Sequence, residues 1–314
     1  MKKILFTCVI LILIIYSFFF PEITVNAARN GIQIWFQQIL PALLPFTILS
    51  SVLVKSDFLK SFKGNANIIA IILTMTCGFI FGFPIGAKLS SDFYKQSLLS
   101  KRQATVLAVA TNNFSPMYVC GFAMPLLFSS TQYNISTYVL LYLMPLVIVA
   151  VYLIWNYRLD PSHTNACMKK SYHENASSSF HLDMQVIDAG IISGFESLIK
   201  ICGYIVLFSI VTQITTTTIT SLIVNPPILV TILLSNLEIT NGINLLSNAN
   251  ILENLRYILT IQALSFGGAS GIAQTASILS NSGVSIHKYI IGKVALSLLL
   301  TLLSVIYVFF IRSL

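Results

Sequence analysis

Residues Cys77–Ser91 read CGFIFGFPIGAKLSS. The first half of this stretch is apolar enough for a bilayer, yet the whole holds three glycines, a proline and a lysine, none of which a plain spanning helix needs. Gly78, Gly82 and Gly86 recur every four residues, so on an unbroken helix they would share one small-residue face suited to close packing. Pro84 lacks a backbone donor and clashes with the preceding turn, which argues for a kink or a turn. A break at membrane depth frees amides and carbonyls that only protein or trapped water can satisfy, so it persists only when buried or lining a cavity. The stretch is therefore either a packing face with a proline kink, or a re-entrant tip whose amides face an anionic or polar solute with Lys88 one turn further on. Lys88 would cost about 2.5–3.5 kcal/mol at mid-bilayer, unless its long stem carries the ammonium out to cytoplasmic headgroups.

The rest of the chain sets this break in a membrane. Of 314 residues 56% are hydrophobic and 9% charged, and the mean hydropathy is +0.84. Soluble domains carry about 25% charged residues, so the expectation is an all-α polytopic membrane protein resting against the lipid bilayer. The net charge of +8 comes from Lys and Arg lying mainly between apolar runs, where they act as orientation signals rather than a nucleic-acid surface. Cys8, Cys77, Cys120, Cys167 and Cys202 are scattered without metal or disulfide spacing, and His163, His173, His181 and His287 show no ligand spacing either. No metal and no cofactor is expected. There is no Walker loop, HExxH or GxSxG, and no histidine lies in the interior of an apolar span, so no catalytic residue is assigned and an enzyme is not expected.

Residues 4–20 follow Met1-Lys2-Lys3 and exceed the usual signal-peptide core of about 7–15 residues; residues 1–29 are read as an uncleaved N-terminal transmembrane helix starting in the cytoplasm. A first repeat is expected over 30–157, a polar cytoplasmic loop over 158–187 and a second repeat over 188–314. Lys55, Lys60 and Lys63 place the end of the 31–54 segment inside. A shift of 159 positions lays Gly31, Ile32, Phe36 and Ser50 on Gly190, Ile191, Phe195 and Ser209, and a shift of 186 lays Gly82, Ala87 and Ser91 on Gly268, Ala273 and Ser277. The order of features matters more than these identities, because each half runs long helix, broken segment, short polar piece, basic residue, long apolar helix. If the first helix crosses outward the repeats are inverted, the usual build of secondary transporters, with the site near the midplane where broken helices meet. Inversion would then put His287, Lys288 and Lys293 outside, against the charge bias.

Three further interruptions carry polar groups. Thr111-Asn112-Asn113-Phe114-Ser115-Pro116 lies inside an apolar run, so its amides and hydroxyls mark either interhelical hydrogen bonds or a polar cavity. In the stretch with Glu238, Thr240, Asn241 and Gly242, the carboxylate is either a solvated helix end or, inside a bundle, a proton or cation site. Ser265-Phe266-Gly267-Gly268-Ala269-Ser270 through Gln274 is matched to the opening stretch. Glu196 and Lys200 lie four apart, as an internal pair on one helix face would.

GFPIGAKL (82–89), TNNFSP (111–116), GIISGFES (190–197), LEITNGI (237–243) and LSFGGASGIAQTASIL (264–279) together resemble the YlbJ family of sporulation integral membrane proteins, within the nucleoside recognition or Gate domain group. The resemblance implies about seven or eight transmembrane or re-entrant segments in two Gate-like repeats with broken helices. It also implies a place in the forespore or mother-cell membrane and a role in the spore cortex and spore heat resistance; it transfers no catalytic residue. The function expected is a Gate-type transporter or permease for a small polar solute such as a nucleoside-like molecule. Its expected site is Gly82, Pro84, Gly86, Lys88, Thr111, Asn112, Asn113, Ser115, Glu238, Thr240, Asn241, Ser265, Gly268, Ser270 and Gln274. The alternative is a non-transporting scaffold for other sporulation membrane proteins or for further copies of this chain, in which the breaks serve only packing.

Overall fold

The computed structural model describes residues 2–56, 65–159, 183–222, 228–280 and 282–311. Lys60, Lys63 and most of the central polar loop, with three of the histidines and Cys167, lie outside the described residues. Among the described residues every regular element is helical. Thr131–Trp155, Met184–Ile219 and Ile286–Phe310 are long and apolar enough to cross a bilayer, and the pair Ile10–Phe19 and Pro21–Gln37, bent by 111°, is a fourth candidate. Only 28%, 28% and 33% of the three long spans is buried inside the protein. Their remaining apolar surface faces outward, where lipid is the compatible solvent, so the chain is an all-α polytopic membrane protein.

The N-terminal segment differs from the single helix expected. α1 (Lys2–Phe19) stops before Pro21, which occupies the start of α2 (Pro21–Ile34), where a missing amide costs nothing. α2 passes through a π-helical turn, Trp35–Ile39, into α3 (Leu40–Lys55). Two comparable sets of elements follow. The first holds α4 (Ala66–Phe81), α5 (Ile85–Lys95), α6 (Lys101–Thr111), α7 (Pro116–Tyr118 continuing through Met124–Leu127) and α8 (Thr131–Trp155). The second begins after α9 (Met184–Leu222) and holds α10 (Ile228–Ser235), α11 (Ile239–Asn248), α12 (Glu253–Phe266), α13 (Gly268–Ser280) and α14 (Ile286–Ile306). In each set a helical hairpin is followed by a broken helix and then a long apolar helix.

The leading helices of the two sets run antiparallel. A Cβ on Gly31 would touch Val206 at 3.1 Å and Ser209 at 3.2 Å, Gly194 faces Ile48 and Gly190 faces Val52. Trp35 Nε1 donates to Leu198 O at 2.9 Å in the same seam. Small residues let these backbones approach closely, the packing that apolar helices need where lipid supplies no hydrophobic drive. Because α3 and α9 each lead one set, their opposed directions invert the two sets with respect to each other.

Inversion does not expel the basic residues of α14. Gln96 Nε2 donates to Val54 O at 2.6 Å, Asn67 Nδ2 to Leu98 O at 2.6 Å, and a Cβ on Gly283 would meet Tyr94 at 3.6 Å. The ends of α3 and α5 and the starts of α4, α6 and α14 therefore share one end of the molecule, bringing Lys55, Lys95, Lys101, Arg102 and Lys288 together. Clustered basic residues of this kind are what the charge bias expects of a cytoplasmic end. Residues 132–133 meet 253–254 at the other end, through Gln132 to Glu253 at 3.0 Å and Tyr133 to Asn254 at 2.9 Å. The conflict anticipated from the sequence vanishes because α10 and α11 form a hairpin that turns back: a Cβ on Gly242 would strike the backbone of Ser235.

Candidate functional site

Each of the four breaks has a local cause. α4 ends at Gly82, whose φ of 73° suits glycine, and Pro84 precedes α5. α7 is capped by Ser115, whose hydroxyl accepts from Tyr118 N, with Pro116 at its first position. α11 is capped by Glu238, whose carboxylate accepts from Thr240 N at 3.2 Å and Asn241 N at 2.9 Å, a favourable placement of negative charge at a helix start. α12 ends at Gly267 in the left-handed region, φ 86°.

The breaks pair within each half. Phe83 N donates to Asn113 O at 2.6 Å, while Ala269 N and Ser270 N donate to Asn236 O and Leu237 O at 2.8 and 3.0 Å. The break at 82–84 thus meets that at 112–115, and 236–238 meets 267–270. By order of elements the counterpart of Gly82 lies near Asn236, not at Gly268, so the 186-position match from the sequence does not describe the architecture. The crossing in the first half is tight: a Cβ on Gly82 would collide with Ser115 N, and one on Gly86 with Thr111. Gly82 and Gly86, with Pro84 between them, belong to this crossing, and the freed Phe83 amide is spent on Asn113 rather than turned toward a solute.

Two cavities lie along the helix axes. The larger, about 610 Å³, is lined by residues from all four breaks, among them Phe83, Phe114, Ser115, Glu238, Thr240, Gly267, Ser270 and Gln274, together with Ile201 and Ile205 of α9. The smaller, about 200 Å³, is lined by Lys88, Asp92, Lys95, Glu196, Lys200, Ser277 and other polar residues. Gln274 and Ile201 line both. From Gly267 along α13, residues 267, 270, 271 and 274 line the larger cavity and 274, 277 and 278 the smaller, so the two are stacked end to end, the smaller toward the basic end.

The expected site residues divide accordingly. Ser115, Glu238, Thr240, Ser270 and Gln274 line the larger cavity; Glu238 is 5% exposed and Gln274 also 5%. Gln274 Nε2 donates to Ser270 Oγ at 3.0 Å, whereas its buried Oε1 has no partner. Lys88 lines the smaller cavity, 7% exposed, and its ammonium donates to Ser51 Oγ at 2.5 Å. Its stem does not carry it to the headgroups, because Ser51 and the cavity already give the charge a polar setting. Glu196 and Lys200 line that cavity too, without an ion pair between them; among the described residues Lys95 and Asp92 approach to 4.0 Å.

Asn112, Asn113, Thr111, Asn241, Ser265 and Gly268 stand apart from both linings. Asn112 Nδ2 donates to Thr275 Oγ1 and Tyr289 OH, both at 2.9 Å. Asn113 Nδ2 donates to Ala110 O at 2.8 Å, and its Oδ1 accepts from Lys293 Nζ at 2.7 Å. Thr111 Oγ1 donates to Leu107 O at 2.7 Å, and Ser265 Oγ to Ser297 Oγ at 3.1 Å. The Asn112 and Asn113 bonds join the end of α6 to α13 and α14, the Ser265 bond joins α12 to α14, and the Thr111 bond lies within α6. Lys293, 1% exposed, is not among the site residues expected from the sequence. Its signal was available: an ionisable residue eight places into an apolar span is a candidate functional group by cost alone. Phe83 and Phe114, which wall the cavity at a ring separation of 6.1 Å, had no such signal, since an aromatic inside an apolar run looks like any lipid-facing or core residue.

No family model and no solved structure matches the chain. It is similar to the sporulation integral membrane protein YlbJ of Bacillus subtilis (strain 168), with 25% identity over 309 residues, covering 87% of this chain and 74% of that one. Extending over most of both chains, this likeness bears out the resemblance to the YlbJ family of sporulation integral membrane proteins read from the motifs.

Proposed function

We propose that this chain is a sporulation membrane protein that moves a small solute with a polar end across a membrane of the developing endospore. The observation that carries the reading is the stacking of two cavities on either side of Gln274 and Ile201. A thin partition between two opposed vestibules, at the meeting point of broken helices from inverted halves, is the arrangement alternating access requires. The polar residues at this point are nearly all buried, and polar groups held at membrane depth are costly unless they serve a pathway or a bond. The smaller cavity, bordered by Lys88, Lys95 and Lys200, forms the cytoplasmic vestibule. A scaffold would need its four breaks only for packing; Ser115, Glu238 with Thr240, and Ser270 instead come from three separate breaks to line one space.

The deciding experiment is uptake of labelled solutes, nucleoside-like compounds included, into proteoliposomes, beside counts of heat-resistant spores from a strain carrying Glu238→Ala. Saturable uptake lost in the variant, with spore counts falling at normal membrane abundance, is expected. Full spore counts from the variant together with no uptake of any solute would sink the transport reading in favour of the scaffold.

A further inference from the structure

Lys293 is used by neither cavity. It is 1% exposed, the eighth residue of α14, and forms no ion pair among the described residues. Among them its Nζ makes a single hydrogen bond, to Asn113 Oδ1 at 2.7 Å, although an ammonium offers three donors. A carboxylate partner would hold the charge in place. An amide oxygen instead accepts from an ammonium or from a neutral amine, so the bond survives loss of a proton but weakens, because a charged donor bonds roughly twice as strongly. The change is felt at the first break. Asn113 Nδ2 is tied to Ala110 O and Leu141 O at 2.8 and 3.2 Å, and Asn113 O accepts from Phe83 N at 2.6 Å. Phe83 walls the larger cavity, so a single residue links the amine to the wall of the solute space.

The surroundings leave the charge of this amine unopposed. Of α6, α8, α12 and α13, the helices packed against α14, only α12 carries a carboxylate, Glu253, and it lies on Gln132 at the end away from the basic cluster. Arg256 follows it on α12, Lys101 and Arg102 open α6 at the basic end, and α13 has no titratable side chain. Tyr142 of α8 donates to Phe114 O and Tyr257 of α12 to Ser136 Oγ; Tyr133, Tyr138 and Tyr152 complete the tyrosines of α8. His287 and Lys288 stand at the basic start of α14, Tyr307 lies past its far end beside Tyr257, and Tyr289 is one turn before Lys293 on the same face. Tyr289 OH donates to Thr275 Oγ1 at 3.4 Å, Asn112 Nδ2 donates to both, and Thr275 Oγ1 donates to Gly271 O at 2.9 Å. Gly271 lines the larger cavity, so polar groups run from its wall to within one turn of Lys293. The buried Asn112 Oδ1, which has no partner, adds an acceptor on the way.

We propose that Lys293 is a proton-binding site that couples proton movement to the first break. Its Nζ gives up a proton to water in the larger cavity, the electron pair of the broken N–H bond staying on nitrogen, and regains one later in the cycle. The charged amine holds Asn113, and through it Phe83, in the crossing described above; the neutral amine holds them less firmly. The proposal rests on the reading of the larger cavity as the solute site and adds what movement of the solute is linked to. The linkage is reciprocal, so a solute that shifts Phe83 also changes the hold of Lys293 on its proton.

The test uses the full chain in phosphatidylcholine nanodiscs, with para-fluorophenylalanine in place of Phe83, and fluorine NMR follows that ring from about pH 5 to about pH 10. The resonance is expected to shift along a one-proton curve, largely complete over about two pH units. Lys293→Gln, which keeps an N–H for Asn113 but takes up no proton, should abolish the shift and hold the resonance at its high-pH position. If Lys293→Gln fails to fold, Lys293→Met decides on the same readout. A lysine that only braces the helices would leave the ring indifferent to pH in the parent. A flat parent profile, or a profile unchanged in the folded variant, overturns the proposal. In proteoliposomes, saturable uptake by the parent should respond to an imposed pH difference and lose that response in Lys293→Gln. A titration at position 83 without uptake of any solute overturns the transport reading alone, whereas uptake indifferent to the pH difference overturns the coupling and leaves transport standing.

Discussion

Lys293 and Asn113 show how single residues hold the two halves together. An ammonium 1% exposed at membrane depth needs a partner, and the 2.7 Å bond to Asn113 Oδ1 supplies it. Asn113 also anchors the first break, since its carbonyl accepts from Phe83 N. Removing the side chain leaves a buried cation without that bond, so Asn113→Ala should cost about 1.5–3 kcal/mol of stability. Asn113→Asp, which keeps an acceptor for Lys293 but loses the amide donor to Ala110 O and Leu141 O, should recover only part of it, and Lys293→Met should make Asn113→Ala much less costly. Thermal unfolding of the parent, the three single variants and the Asn113→Ala/Lys293→Met double variant in detergent checks the ordering; equal losses for Asn113→Ala with and without Lys293 would show that the two side chains do not interact. The expected site residues that lie off the cavity follow the same logic. Asn112 ties α6 to α13 and α14 through Thr275 and Tyr289, and a polar residue inside an apolar run announces a bond in the sequence without saying to what.

At the scale of elements, the seam between α3 and α9 decides the relation of the halves. Gly190 and Gly194 each admit one aliphatic side chain of α3, from Val52 and Ile48, and that pairing in reverse order is what makes the helices antiparallel. In a background without the native cysteines, Val52→Cys with Gly190→Cys should oxidise to a disulfide, because a Cβ on Gly190 would lie directly against Val52. Ile48→Cys with Gly190→Cys, one turn out of register, should cross-link far less. A cross-link favouring the second pair, read from mobility on a gel, would contradict the inverted arrangement. The hairpins α4–α5 and α10–α11 are the elements that sequence reading resolved least well. A glycine and a proline at 82–84 mark a break plainly, but the turn at 236–238 has neither, and only the close approach of Gly242 to Ser235 reveals that the chain turns back there.

For the whole molecule, the stacked cavities make a statement about sidedness. Thr240 lines the larger and Ser277 the smaller. Thr240→Cys and Ser277→Cys, again in a cysteine-free background, should therefore react with a small charged maleimide from opposite faces of the membrane, Ser277→Cys from the cytoplasmic side. Reaction of both from one face would remove the partition at Gln274 and Ile201. The sequence by itself determined the solvent and the class: 56% hydrophobic and 9% charged residues cannot cover a water-facing surface, so helices in a bilayer follow from composition. It also located the breaks at Gly82–Pro84 and Ser115–Pro116, because glycine and proline restrict the backbone whatever surrounds them. Which break meets which, that α10 and α11 return rather than cross, and that Glu238 and Gln274 share one space while Asn112 and Asn113 face elsewhere were decided by tertiary structure alone. Those outcomes depend on contacts between separate elements, among them Phe83 with Asn113 and Asn113 with Lys293, and on a helix a one-residue step turns a side chain by about 100°, enough to move it from a cavity to a seam.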